Sequence, residues 1–357
     1  MYKSCELVKH GLCFFDGSLA ICCHSPADQI NGQTPPFIRD TYNGEIVPKE
    51  ELFQAMDKYA DIFKQGGCPA VCANCFKIEE KEWDEEKYIN QITIAHFTKC
   101  NADCIYCANN LAPHERKQNA YKIYPILKNY IDNGIIKKGC EFHISGGEFS
   151  IYEEADDLLD LLAISGFAKV IIATNAIKYS DKLFKALNAG NTFVCVSLDC
   201  GSRKLFKKIK RIDAFDKVIE NLEKYATTET SKNAMHLKYI IIPSINDNIK
   251  EFNEFLKIAK KIGIKNIIID LEGRYSRYTN NKIDSYFIDI ALKMEEIAKE
   301  QNFNTELYQF FAHNTTNKKI KRNHFIINFI KSIKFKYFSK DIKELYKHHN
   351  YGSKLNK

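Results

Sequence analysis

From residue 90 to about residue 274, short apolar runs alternate with helical patterns. The runs Gln91–Thr98, Cys140–Ser145, Ala168–Thr174, Thr192–Leu198, His236–Ile242 and Asn266–Leu271 are rich in Ile, Val and Phe, as suits strands buried on both faces. Between them, Tyr121–Asn133, Tyr152–Ile164, Asp181–Leu187, Ala214–Tyr225 and Ile249–Lys260 repeat apolar residues at helical spacing. Punctuation agrees: Ser150 and Glu153 have capping-box spacing, Asp213 and Asn248 suit N-caps, and Gly166, Gly190 and Gly263 sit where helices end. Six β/α units predict an α/β fold with a parallel, helix-covered sheet whose chemistry lies at the strand C-terminal ends. Periodicity alone leaves a doubly wound open sheet standing beside a curved, partial barrel.

The flanks read differently. Residues 1–89 are short on periodic structure, with turn signals at Asp16-Gly17, Asn31-Gly32, Pro35-Pro36 and Gly66-Gly67 and one helical run, Glu50–Phe63. Beyond Arg274 comes a helical stretch, Ser285–Asn302, and then Phe and Ile residues interleaved with lysines. The expected division is a cysteine-rich N-terminal module (1–89), a β/α core (90–275) and a helical, basic C-terminal extension (276–357).

Charge sharpens this division. The net charge is +7 over 357 residues, but Thr315–Lys357 holds twelve Lys or Arg against Asp341 and Glu344, so the rest is slightly acidic at about −3. The tail is expected either to be a basic amphipathic binder of an anionic membrane surface or to be a solvated helical face. No specific nucleic acid is expected. No apolar run of membrane-spanning length occurs, and Lys3, Glu6 and Lys9 interrupt the first residues, so a cytoplasmic protein is expected, at most peripheral at the inner membrane face. Thirteen cysteines in such a compartment predict metal binding rather than disulfides.

The densest group is Cys100-Asn-Ala-Asp-Cys104-Ile-Tyr-Cys107, directly after the first core strand. Three thiolates on one loop can hold three irons of a [4Fe–4S] cube and leave the fourth open to a chelating ligand. A structural zinc site, completed by His96 or His114, is the plainer alternative. The spacing of Cys100, Cys104 and Cys107, Tyr106 before the last cysteine, and Gly146-Gly147-Glu148 some forty residues on together resemble the radical S-adenosylmethionine (SAM) superfamily. That resemblance implies a partial (β/α)6, TIM-like barrel and an enzyme in which the three cysteines hold a [4Fe–4S] cluster. SAM's methionine would chelate the open iron and yield a 5′-deoxyadenosyl radical on reduction by a flavodoxin or ferredoxin.

The resemblance extends to the strand ends. Gly146, Gly147 and Glu148 would bind the methionine amino group, since glycines let backbone approach a ligand closely. Thr174-Asn175-Ala176 stands where the family often has Thr-Asn-Gly. Ser197 and Asp199 resemble its Ser-x-Asp contacts to SAM, and Lys238 lies on a strand like the one bearing adenine-side contacts. Asp270, Glu272 and Arg274 are candidates for the substrate side. Cys140, Cys195 and Cys200 are expected to pack as small apolar residues, with Cys200 the one to test as a hydrogen-atom donor.

Cys5, Gly17 and Cys22, with Cys72 and Cys75 closing the set, resemble the SPASM and twitch auxiliary-cluster modules of that superfamily; the resemblance implies a second [4Fe–4S] cluster. Here these cysteines precede the core, and Cys13, Cys23 and Cys68 are surplus to four ligands. Cys68, Cys72 and Cys75 also repeat the spacing of the first set and rival it. Three functions follow: oxidation (dehydrogenation or cross-linking) of a small-molecule, sugar or lipid-linked substrate, a redox-neutral epimerisation or rearrangement with a structural second cluster, and a non-catalytic iron–sulfur or zinc protein.

Overall fold

The computed structural model describes residues 2–22, 37–69, 72, 78–83, 85–107, 115, 116, 121–272 and 285–307. Cys23, Cys75, His114, Arg274 and the basic tail lie outside the described residues. The N-terminal segment gives β1 (Tyr2–Ser4), α1 (Glu6–His10), β2 (Gly11–Phe15), β3 (Ser18–Ala20), β4 (Phe37–Arg39), α2 (Lys49–Lys64) and β5 (Glu79–Lys81). The core then alternates: β6 (Ile89–Ala95), α3 (Tyr124–Asp132), β7 (Ile136–Ile144), α4 (Ala155–Leu158), β8 (Lys169–Thr174), α5 (Asp181–Asn188), β9 (Thr192–Ser197). A π-helical turn, Leu159–Ile164, prolongs α4. After β9 come α6 (Arg203–Lys210), α7 (Phe215–Tyr225), α8 (Glu229–Ala234), β10 (Met235–Ile241), α9 (Ile249–Ile262), β11 (Asn266–Leu271), α10 (Ser285–Glu300) and β12 (Asn304–Leu307).

Ten of these strands form one sheet in the order β12-β11-β10-β9-β8-β7-β6-β2-β3-β4. It is parallel from β12 through β2, and β3 and β4 continue it antiparallel. The fold is therefore α/β with a mostly parallel sheet, as the alternating pattern predicts, and the six expected strands are β6 to β11. Two parallel neighbours were not foreseen. β12 is only four residues long, and β2 runs in register with β6, from Gly11 beside Gln91 to Phe15 beside Ala95.

Burial fixes the register. On β9, Thr192, Val194 and Val196 are buried while Phe193, Cys195 and Ser197 are half-buried. Each fully buried Val or Ile contributes on the order of 1.5–3 kcal/mol, and a one-residue slip would turn that whole row to the wrong face. The buried rows of β6 to β11 pack with Phe252, Phe255 and Leu256 of α9 and Leu183 and Leu187 of α5 into one core.

Most caps behave as predicted. Asn248 caps α9 by accepting the Glu251 N–H at 3.0 Å, and Gly166, Gly190 and Gly263 all take left-handed φ values. Two cap assignments are corrected. Ala214, not Asp213, caps α7, because Asp213 is drawn to Arg203 at 2.8 Å. Ser150 lies in a 3-10 turn, Phe149–Ile151, and gives its N–H to Glu148; the following helix starts only at Ala155. Among the described residues, no helix is long and apolar enough to cross a membrane.

Candidate active site

The loop after β6 carries Cys100, Cys104 and Cys107, all half-buried. Two other elements hold it. The N–H groups of Asp103 and Ile105 donate to the Lys210 and Ile209 carbonyls at 3.0 and 2.9 Å, so α6 offers its last turn to the loop. From the other side, Gly147 N–H donates to Phe97 O at 2.8 Å and Glu148 N–H to Lys99 O at 2.9 Å. A Cβ on Gly147 would stand 2.1 Å from the Lys99 carbonyl oxygen, and Gly146 holds φ at +110°. The two glycines thus let the β7–α4 connection lie directly against the cysteine loop. The sequence explains them by close approach to a ligand; the structure adds close approach to the loop itself.

Glu148 is buried and its carboxylate is fully used. Its Oε1 accepts from Ser150 N–H at 3.0 Å, Ser150 Oγ–H at 2.7 Å and Thr174 Oγ1–H at 2.6 Å, while Oε2 accepts from Asn175 N–H at 2.7 Å. This ties the end of β7 to the end of β8. Asn175 then reaches the cysteine loop, its Nδ2 donating to Asn101 Oδ1 at 2.7 Å and lying 3.7 Å from Cys100 Sγ.

Asp199 follows β9 with a left-handed φ of 63° and no exposure. Its Oδ1 accepts from Ile240 N–H at 3.0 Å, and its Oδ2 takes both the Tyr106 hydroxyl, at 2.5 Å, and the Lys210 ammonium. Lys210 Nζ also donates to the Tyr106 oxygen at 2.6 Å. Asn246 completes the arrangement by donating to Asp199 O and Ile240 O, both at 2.8 Å. Burial disfavours the Lys210 ammonium, but Asp199 outweighs this and holds its pKa above the ordinary value. Burial and the Asp199 charge push the Tyr106 phenol well up, so it stays protonated. Asp199 is thus committed to Tyr106 and Lys210, whereas Ser197 is half-buried at the end of β9. Lys210 was not singled out from the sequence. Lys210 sits in a short, lysine-rich helix where a buried cation looks like any surface lysine.

The sheet face opposite the helix-covered rows carries polar side chains among apolar ones such as Ile171, Ile240 and Ile268. Lys238 pairs with the buried Asp270 at 2.5 Å, and Asp270 holds the Lys238 pKa up against the cost of burial. Cys195 lies beside them; burial pushes its thiol up to about 11, partly countered by Lys238. His143 and Glu141 meet at 2.6 Å on the same face of β7. Cys140 and Cys200 are buried as expected, Cys200 with its thiol turned to the Leu198 and Ser202 carbonyls. Cys195, half-buried on the polar face, departs from that expectation.

Of the N-terminal cysteines, Cys5 is buried at the N-cap of α1. Gly11, where α1 gives way to β2, would press a Cβ against Leu7 O and Ile21 O, so the chain leading to Cys22 runs against α1. Cys72 lies near enough to Tyr59 of α2 to raise that phenol, after burial itself.

The donor set of the loop after β6 suits an iron–sulfur cube: three thiols on one short segment, held from both sides by backbone hydrogen bonds. A cube keeps its thiolates further apart than a single ion does, and among the described residues no three Cys, His, Asp or Glu side chains are already gathered as around one ion. Burial pushes the Cys100 thiol up to about 11 and raises that of Cys104, against which the Lys210 charge works. Cys104 thus has the Lys210 ammonium near it, its effect partly offset by the Asp199 carboxylate that pairs with it.

Residues 94–259 match the radical SAM superfamily. The probable GTP 3′,8-cyclase of Saccharolobus islandicus (strain Y.N.15.51 / Yellowstone #2) is 25% identical over 181 residues, which is 50% of this chain and 54% of that protein. The GTP 3′,8-cyclase of Clostridium botulinum (strain Hall) is 27% identical over 198 residues, 52% of this chain and 59% of that protein. The chain therefore spans little more than half the length of these relatives. Streptococcus suis SuiB bound to its precursor peptide SuiA is similar at a TM-score of 0.48 and 18% identity, over 75% of this chain and 57% of that one.

Proposed function

We propose that this chain, whose residues 94–259 match the radical SAM superfamily, is an enzyme holding a [4Fe–4S] cluster on Cys100, Cys104 and Cys107 and cleaving SAM there. When bound, the cluster supplies the electron that converts SAM into methionine and a 5′-deoxyadenosyl radical. The chain's own residues do the rest. Tyr106, Asp199 and Lys210 fix the loop from below, Glu148 and Asn175 fix it from the β7 and β8 side, and the polar face with Lys238, Asp270 and Cys195 receives the substrate. The observation that carries this reading is the loop's double anchoring: α6 carbonyls accept backbone hydrogen bonds from Asp103 and Ile105 within the three-cysteine segment, and Gly147 and Glu148 donate to Phe97 and Lys99 just before it.

The reaction we propose is a net two-electron oxidation of a C–H bond next to oxygen or nitrogen in a small-molecule, sugar or lipid-linked substrate. Hydrogen abstraction leaves a carbon radical, and a second cluster on Cys5, Cys22, Cys72 and Cys75 would accept its remaining electron as the proton leaves. Supporting this, the chain leading to Cys22 runs against α1, which Cys5 caps, and Cys72 stands near Tyr59 of α2. Anaerobic reconstitution tests it: about eight irons are expected in the intact protein and roughly four after Cys100, Cys104 and Cys107 are all replaced by Ala, counting four per cluster. About four irons in the intact protein would remove the second cluster and the oxidation with it.

One observation favours a redox-neutral second reading, an epimerisation or rearrangement. Burial keeps the Cys195 thiol protonated on the polar face; a hydrogen atom given from it to a substrate radical leaves a thiyl radical that an electron and a proton must restore. A product of unchanged mass in ordinary water that gains one deuterium in deuterated solvent, the gain being lost on Cys195→Ala, would select this reading.

A further inference from the structure

The exposed side of α6 takes no part in holding the loop, yet it is the most cationic stretch of the described chain. Residues 203–211 contain Arg203, Lys204, Lys207, Lys208, Lys210 and Arg211 and no acidic residue. Lys210 is consumed in the buried contact with Asp199, and Arg203 and Lys207 are neutralised by Asp213 and Asp216. Arg211 bonds Asp103 of the cysteine loop at 3.1 Å and remains partly exposed. Lys204 and Lys208 are exposed, and among the described residues neither has an acidic partner. Lys204 and Lys208, four apart, share one stripe of α6, and Arg211 follows at the left-handed C-cap of the helix. That stripe ends at the turn whose carbonyls accept from Asp103 and Ile105.

We propose that this stripe is the landing surface for a small acidic one-electron carrier that reduces the cluster on Cys100, Cys104 and Cys107. The inference rests on the cluster-holding function proposed above and names the partner of that site. Lys204 lies about 9 Å along the helix axis from Lys210, at 1.5 Å per residue, so the unpaired charges stand within roughly one Debye length of the loop at physiological salt. Apart from the tail, the rest of the chain is slightly acidic, so a negatively charged carrier is steered to α6 and away from most other faces. On docking, the carrier is oxidised by one electron and the cluster is reduced by one; no bond forms or breaks between them. A nucleic acid or an anionic membrane would also be drawn to lysines, but neither would require the stripe to end at the cysteine loop.

The test uses the full-length, cluster-loaded protein and a flavodoxin in its fully reduced state. Stopped-flow traces follow flavin oxidation and cluster reduction for the wild type, Lys204→Glu/Lys208→Glu and Lys204→Arg/Lys208→Arg. The Glu pair is expected to be reduced by flavodoxin at least tenfold more slowly at low salt, and the Arg pair at the wild-type rate. Raising the salt should slow the wild type and leave the Glu pair unchanged, while dithionite reduces all three alike. Equal flavodoxin rates in the wild type and the Glu pair, with dithionite rates also equal, overturn the proposal. So does a Glu pair that keeps its flavodoxin rate but loses binding to RNA or to anionic vesicles. Failure of the underlying reading shows separately, as a wild type in which dithionite reduces no cluster.

Discussion

The Tyr106 hydroxyl donates to Asp199 Oδ2 at 2.5 Å, and Lys210 closes the triangle from α6. Tyr106 lies between Cys104 and Cys107, Asp199 follows β9 and Lys210 ends α6, so one buried ion pair sets the position of the loop relative to two other elements. Removing one partner of such a pair leaves the other charge buried and uncompensated, at a cost of about 3–5 kcal/mol. Lys210→Met is expected to lower stability by that amount in chemical denaturation, and Asp199→Asn with Lys210→Met to recover part of it. A Lys210→Met protein within about 1 kcal/mol of the wild type contradicts this.

Gly147→Ala is expected to displace the cysteine loop, because the new methyl group would meet the Lys99 carbonyl oxygen at 2.1 Å, far inside contact. Iron retained after reconstitution should fall severalfold. Gly190→Ala, where nothing lies within 4 Å of the added Cβ and only the left-handed φ of 87° is strained, should cost on the order of 1 kcal/mol and leave iron content unchanged. Equal iron loading in the two variants would show that the close approach at Gly147 is not needed.

Glu148→Gln should destabilise by about 1–3 kcal/mol, the typical cost of a buried polar group left without a partner. The amide can present its oxygen to Ser150 and Thr174, but its NH2 then faces the Asn175 N–H, two donors in opposition. Thermal or chemical unfolding measures it, and Thr174→Val, which removes one of the four donors, should cost less. The reverse ranking would show that the carboxylate is not the tie between β7 and β8.

These effects mark how far the sequence was legible. The six core strands and their helices were readable because Ile- and Val-rich runs and helical spacing repeat without ambiguity, and the cysteine loop was readable because three thiols in eight residues have few other uses. What was not readable is long-range. That β2 joins β6 depends on a pairing eighty residues apart, and a short run such as Gly11–Phe15 does not reveal it. Asp199 reads as a surface-facing contact residue until Lys210, eleven positions on and indistinguishable from its neighbours in sequence, turns out to be buried against it.

His96, directly after β6, is fully buried, with Nε2 3.1 Å from the Tyr152 hydroxyl, and burial lowers its pKa to about 4. The folded state therefore holds the neutral ring while the unfolded chain binds a proton below about 6.5. Stability from this group is complete above about pH 6.5 and is lost as pH falls from there towards 4, at up to about 1.4 kcal/mol per pH unit. Denaturation series between pH 4 and 7 should show a shallower fall for His96→Gln than for the wild type. Parallel profiles would mean that His96 does not titrate differently on folding.

The most direct test of the central claim is SAM cleavage by the reconstituted full-length protein under anaerobic conditions with dithionite. The wild type is expected to form 5′-deoxyadenosine, and the variant with Cys100, Cys104 and Cys107 all replaced by Ala to form none, while Cys72→Ala retains the activity. A triple variant that still produced 5′-deoxyadenosine would contradict the assignment and place the SAM-cleaving cluster on other cysteines.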